Sequence, residues 1–308
     1  AIVGVQTSVT PAGTGTANDP YQITELGNLV WVSDQTNMGD NWSSGTHFKL
    51  MNDIDASSTA IWNDGAGFTP IGTNDARFNG VFDGNGKKIT GLTINRSSSS
   101  TDYIGLFGYT DTSCIIMSLG LDGGSVNGNT YVGGLVGYSN GNITNCYATG
   151  NVSGDWCVGG LLGALNGTIS NCYATGNVSG TASVGSLVGS LYGNITTCYA
   201  TGYVSGERVG GLVGDSGYSE STITNCYYNR EITEHSDTNL GTPKTTAEMH
   251  QQATFEGWDF DTTWKIVEGV SYPYLSEFGD DCTLSVSVKG CGTVTPVADI
   301  YTHTYGDS

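Results

Sequence analysis

The stretch YVGGLVGYSNGNITNCYATGNVSG, from Tyr131 to Gly154, returns as WCVGGLLGALNGTISNCYATGNVSG from Trp156 to Gly180. It returns again as SVGSLVGSLYGNITTCYATGYVSG from Ser183 to Gly206. A last copy, RVGGLVGDSGYSESTITNCYYN, runs from Arg208 to Asn229 with a small insertion before Ile223, and a divergent one opens with YIGLFG at Tyr103. The Cys of the NCY element stands at 146, 172, 198 and 226, in steps of 26, 26 and 28. A constant period of this length, rich in Gly and β-branched residues and free of Pro, predicts a solenoid in which each repeat is one coil. Helical repeats would need Leu/Ala-rich runs of about ten or more residues with a 3.6 period. None is present.

Alternation inside the repeat sets the direction of the side chains. From Cys146 to Val152, small or apolar residues alternate with polar or aromatic ones, the period of a strand. Cys146, Ala148 and Val152 are expected to face inward with Val132, Leu135 and Ile143, while Tyr147, Thr149 and Asn151 face outward. Parallel coils lie about 4.8 Å apart, so each inward residue should sit on its equivalent in the next coil.

Outside the repeats, composition narrows the class. The 308 residues include 47 Gly, and 10 Lys+Arg against 29 Asp+Glu leave a net charge of −19. That sign opposes binding to nucleic acid or an anionic membrane, and no apolar run is long enough to span a bilayer. The chain opens Ala1-Ile2-Val3 without Met, which reads as a processed end or an excised fragment. Its eight Cys include no CxxC pair, which argues against a zinc site.

The GGLVG element followed by NCYATG resembles the GLUG-motif repeat of large bacterial and archaeal surface proteins, some of them near IgA-cleaving metallopeptidases. The likeness is close from about Gly105 to Tyr228. Upstream, DPYQITELGNLVWVS, FKLMNDIDAS, FTPIG and FNGVFDGNGKKITGL look like the opening of such proteins, and TTAEMHQQATFEGWDF to SYPYL looks like their closing segment. The resemblance implies an all-β, right-handed parallel β-helix with coils of about 26 residues; it implies no single chemistry. From Cys282 to Gly306 the pattern changes to a hairpin that resembles the first half of an internalin-type B-repeat, a small β module that stops partway.

The expected organisation is therefore residues 1–20 as an N-terminal strand or extension and 21–278 as the β-helix with its caps. The repeats occupy about 103–229, the closing segment 230–278, and the partial β module 279–308. Ile23 to Val32, as helix or strand, should cover one end of the rod. Thr245 to Phe255, with Trp258 and Trp264, should close the other, since bare strand edges invite aggregation. Ala1–Val9 reads as a lone strand free to complete a sheet on a neighbouring copy.

Candidate sites follow from the registers. Cys146, Cys172, Cys198 and Cys226 should stack along one inner face, either as an unbonded core ladder or as disulfides between coils; parallel side chains aim poorly at one another. Cys114 aligns with Ile143 and is expected to pack in the core. Cys157 aligns with Tyr131 and, with Cys282 and Cys291, is a candidate for cross-linking. Tyr147, Tyr173, Tyr199 and Tyr227 form an outward row that either stabilises the sheet or offers a flat face to sugar rings or another subunit. Asn41, Asn95, Asn142, Asn151, Asn166, Asn177 and Asn194 lie in N-x-S/T sequons.

A glycosidase needs paired carboxylates, but the central repeats hold acids only at Asp155, Glu207, Asp215 and Glu220, in no shared register. The richer set, Asp53, Asp55, Asp64, Asp75 and Asp83, lies in the opening coils. Asp53-Ile-Asp55 is a candidate calcium contact, although Asx residues at turns explain it more simply; no other cofactor is implied. HExxH and P-loop patterns are absent. The sequence thus points to a non-enzymatic, extracellular structural or adhesive surface protein that self-associates into a layer, sheath or filament or binds neighbouring surface proteins. The rival readings are a glycan-binding module on the Tyr face and a polysaccharide lyase or hydrolase using Asp53 or Asp83.

Overall fold

In a computed structural model of the chain, residues 7–34, 36, 42, 45–97, 102–217, 221–236 and 240–279 are described. Within them the repeat period becomes a register. Ile143 lies beside Ile169, Ile169 beside Ile195, and Ile195 beside Ile223, all in parallel strands. The insertion before the last NCY element is absorbed between coils, because Thr222 regains its place beside Asn194. The chain is a parallel β-solenoid of about seven coils, with a small antiparallel pair at Trp264–Lys265 and Tyr274–Leu275. Among the described residues no helix is long and apolar enough to cross a membrane.

One repeat supplies Thr130–Gly133, Val136–Ser139, Asn142–Thr144, Tyr147–Ala148 and Asn151–Ser153. Each strand is too short to hold alone and is fixed by its counterparts in the coils on either side. The expected inward set, Val132, Leu135, Ile143, Cys146, Ala148 and Val152, is fully buried. Cys114 is buried too, but not at the expected place. Thr110 pairs with Ser139 while Ile116 pairs with Ile143, so the earlier coil carries two extra residues in the intervening turn. Ile116 fills the Ile143 position, and the Cys114 carbonyl accepts the Asn142 N–H at 2.9 Å.

The Asn of NCY has a backbone task. Asn145, Asn171 and Asn225 have φ of 53°, 52° and 53°, a left-handed kink between two strands of each coil, and Asn tolerates that region better than other non-Gly residues. The amides also form a ladder, with Asn171 Nδ2 donating to Asn145 Oδ1 at 3.2 Å. Thr197 holds the equivalent place at φ 51°, where a β-branched residue is strained. Thr197→Asn should therefore stabilise the rod by about 1 kcal/mol, read as a higher urea midpoint at unchanged slope. A midpoint at or below that of the parent chain would contradict the strain.

At the N-terminal end, Tyr21–Ile23 pairs in parallel with His47–Leu50. The helix Leu26–Ser33 buries Leu29, Val30, Trp31 and Val32 against that end, as expected of a cap. Thr7 to Val9 is not the free strand expected: the Val9 N–H donates to the Gly27 carbonyl at 2.9 Å, and Asn28 Nδ2 donates to the Val9 carbonyl at 2.9 Å. These polar groups find partners on the cap, which anchors the segment there. Residues 1–6 lie outside the described residues.

The other end is closed differently from expectation. Tyr228 stands where Ala200 stood one coil earlier, and its fully buried ring lies over Gly211, where a Cβ would come within 2.1 Å of it. Thr242–Lys244 then adds one further parallel strand on Tyr227–Asn229. Trp258 and Trp264 do not seal this end, because Tyr228 already fills the interior; they lie on the side of the rod. The β module expected at 279–308 lies, apart from Gly279, outside the described residues, as do Cys282 and Cys291.

Candidate functional site

One outward ring per coil, in register, forces a stack. Tyr147 and Tyr173 have ring centroids 4.9 Å apart at 6°, and Tyr173 and Tyr199 lie 5.1 Å apart at 12°, close to the coil spacing itself. Gly120 holds this position one coil earlier, and a Cβ there would come within 2.6 Å of the Tyr147 ring. The glycine lets that ring lie down on the rod.

The row is not an open face. Tyr147 and Tyr199 are only 6% and 2% exposed, because the closing segment runs back along it. Phe255, Trp258, Trp264, Leu275 and Met249 form with Tyr199 and Tyr227 a second buried cluster, separate from the interior of the coils. The Tyr199 hydroxyl donates to the Pro273 carbonyl at 2.6 Å, and Trp258 Nε1 donates to the Asn225 carbonyl at 2.9 Å. The Phe278 ring meets Tyr147 edge-on at 4.8 Å. A bare row of stacked rings is an apolar stripe that gains free energy by leaving water, and the aromatic-rich tail covers it. The expected flat binding surface at Tyr147, Tyr173, Tyr199 and Tyr227 is thus replaced by an internal interface.

A capped turn holds the tail in shape. Asp259 accepts from the Thr262 hydroxyl and backbone, from the Thr263 hydroxyl and from the Asp261 N–H. These bonds, that of the Thr262 hydroxyl foremost, hold its carboxyl at about 2, below the ordinary 3.8. A carboxylate with a depressed folded-state pKa stabilises the fold above its unfolded value, and that contribution is lost as pH falls through the folded one. Trp fluorescence should therefore hold down to about pH 4 and change between about pH 4 and pH 2. In Asp259→Ala that step should disappear; identical titrations would deny the cap its role.

The cover over the Tyr row is incomplete. A groove of about 320 Å³ remains between the row and the tail, lined on the rod side by Tyr147, Tyr173, Thr149, Asp122 and Lys88 and on the tail side by Ser271 to Leu275 and Phe278. Thr149 Oγ1 donates to Asp122 Oδ1 at 2.9 Å and accepts the Gly123 N–H at 2.7 Å. Burial raises the Tyr147 phenol above its ordinary value, and the charges of Asp122 and then Asp53 add to this.

The opening carboxylates serve the backbone. Asp53 accepts the Lys88 N–H at 2.9 Å, Asp55 accepts the Ser57 N–H at 2.9 Å, and Asp83 accepts the Asn85 N–H at 2.7 Å while pairing with Lys49 at 3.2 Å. Asp64 lies in a short turn at φ 56°. Among the described residues no three His, Cys, Asp or Glu gather to hold a metal ion, and Asp53 and Asp55, the candidate calcium contact, are each engaged with a backbone N–H.

Cys146, Cys172, Cys198 and Cys226 form the inner ladder, and all six described cysteines are free thiols. The side chains point the same way. Each thiol donates to the carbonyl two residues earlier at 3.1–3.2 Å, and the Cys146 and Cys172 N–H groups donate to the Sγ of the next coil at 3.4 Å. Burial pushes the Cys146 and Cys198 thiols well up. Cys157 is half-buried at φ 54° and accepts from Ser190 Oγ at 3.2 Å; its thiol is also raised by burial, which lowers its reactivity. Of the sequons, Asn95, Asn142, Asn151, Asn166, Asn177 and Asn194 are exposed, and Asn41 lies outside the described residues.

Set against known proteins, residues 128–153 and 154–179 each match the GLUG motif. Over 152 residues the chain is 38% identical to Halomucin of Haloquadratum walsbyi, and over 141 residues it is 36% identical to a protein of Evansella cellulosilytica described as a Gly-rich membrane protein. These matches take in 47% and 45% of this chain but only 2% and 15% of the relatives' lengths. A crystal structure from Bacteroides ovatus, described as an immunoglobulin A1 protease, superposes with a TM-score of 0.65 over 86% of this chain and 94% of its own, at 24% identity. That likeness is one of fold. Residues 128–179 are two consecutive GLUG motifs, each one coil of the solenoid.

Proposed function

We propose that this chain is an extracellular repeat module, a rigid structural or adhesive element at a cell surface, whose copies associate into a layer, sheath or filament. The observation that carries this reading is the in-register stacking. Ile, Cys, Tyr and Asn columns each bind their own counterparts, so the residues of the repeat build length and stiffness. A solenoid of this kind is quasi-one-dimensional and lengthens by adding coils. Two longer relatives each match nearly half of the chain, and one is described as a membrane protein, which supports a surface location. The net charge of −19 suits a rod that stays apart from its neighbours until salt screens it.

The reading treats the chain as non-catalytic, with Asp53 and Asp83 as structural groups. Electron microscopy of the native material, with and without reductant, tests the assembly. Ordered polymers are expected, and loosening under reductant would assign cross-links to cysteines, among which Cys157 is the described candidate. Isolated monomeric rods under both conditions would overturn it. Cleavage of a polysaccharide panel, lost in Asp53→Asn or Asp83→Asn with folding intact, would replace the structural reading with an enzymatic one.

A further inference from the structure

We infer that the groove between the Tyr row and the closing segment is a binding site for a short neutral saccharide. Its volume of about 320 Å³ is at the lower end of the range for small-molecule sites, roughly 300–1,000 Å³. Protein interfaces elsewhere pack to crystal-like density, so a gap of this size beneath a tail that is otherwise tightly packed is a feature of the docking.

The chemistry of the walls selects the ligand. Tyr147, Tyr173 and Phe278 line the wall with aromatic side chains, whose edges suit the C–H groups of a pyranose. Asp122 is a carboxylate whose bond from the Thr149 hydroxyl leaves acceptor capacity, since an ionised carboxylate accepts at about four sites. Sugar hydroxyls are the donors that fit it; an apolar ligand would desolvate this carboxylate without compensation. Lys88 adds a donor on the same wall. Asp53, whose charge is felt by the Tyr147 hydroxyl, adds a second negative charge to that of Asp122 against the single cation of Lys88, so the net field disfavours uronate or sulfated chains and leaves neutral ones unaffected.

The stacked faces of the Tyr rings are consumed by one another, so the ligand meets ring edges and hydroxyl groups. This site therefore differs from a flat aromatic platform. It also stands apart from the assembly proposed above, because the groove is complete within one chain.

The test is calorimetric titration of the monomeric full chain with neutral di- and trisaccharides of glucose, galactose, mannose and N-acetylhexosamine, beside uronate oligomers. At least one neutral sugar should bind, and Asp122→Asn should weaken it roughly tenfold or more, since a hydrogen bond to a charged group is lost. Lys88→Ala provides a second groove variant should the first fail to fold. Tyr203→Ala, at a residue 42% exposed outside the groove, should leave affinity unchanged. No binding of any neutral sugar at millimolar concentration, preference for uronates, or unchanged affinity in the folded groove variants would each overturn the assignment. Polymers seen by microscopy bear on the assembly alone, so the two ideas fail separately.

Discussion

Trp264→Ala should cost about 3–5 kcal/mol, a large part of the roughly 5–15 kcal/mol that holds a typical domain folded. Trp264 is fully buried, 4.4 Å from the Trp258 ring and about 6 Å from Tyr173 and Tyr199. It also begins the antiparallel pair with Tyr274–Leu275, so it joins the tail to itself and to the rod. The loss should be local: the segment from about 246 to 278 releases and the Tyr row becomes exposed, while the coils, with their separate interior, stay paired. Hydrogen exchange should then quicken in the tail and stay slow at Ile169 and Ile195. The Trp264 indole N–H finds no acceptor among the described residues, so Trp264→Phe should cost much less than the alanine, having no hydrogen bond to lose. Equal costs for the two variants, or a midpoint within about 1 kcal/mol of the parent for the alanine, would remove the tail from the account of stability.

The second large effect is expected in the rod itself. At Gly163 a Cβ would stand 2.5 Å from the Gly137 carbonyl oxygen, the Tyr131 carbonyl carbon and the Val132 nitrogen. All three are backbone atoms, so no side chain can rotate away. The strand Leu162–Leu165 is paired on both sides, with Val136–Ser139 and with Val188–Leu191, and cannot shift without unpairing. Overpacking of this sort costs about 1–3 kcal/mol in cores that can adjust, and more in those that cannot. Gly163→Ala should therefore lose at least about 3 kcal/mol or fail to fold, read as a collapse of the urea midpoint or of soluble yield. Asn166→Ala, in an exposed position of the same coil, should move by less than about 0.5 kcal/mol. A Gly163→Ala chain as stable as its parent would mean that the coils are not packed strand against strand as described.

The glycines of the GGLVG element and the Asn of NCY were both visible in the sequence as repeated letters, and the structure assigns them physical duties. Gly163 permits close approach of two strands, and Asn145, Asn171 and Asn225 bend the chain. The misplacement of Cys114 shows where reading by letters stops. The divergent coil has two extra residues in one turn, and only strand pairing reveals on which side of the turn the register is kept.

The sequence by itself determined the solenoid, its period, the inward set from Val132 to Val152 and the cap over its N-terminal end. These follow from a pattern that each coil repeats, so the contacts of one coil are those of all. Tertiary structure alone decided that the Tyr row is covered, that Tyr228 closes the far end, and that Asp122, Thr149 and Tyr147 share a groove with residues 271–278. The aromatic residues of the tail were plain in the sequence, but their destination was not. Periodicity specifies neighbours one period away, whereas docking of a non-repeated tail depends on which exposed face of the finished rod has most apolar surface to lose, and that face exists only after the coils have stacked.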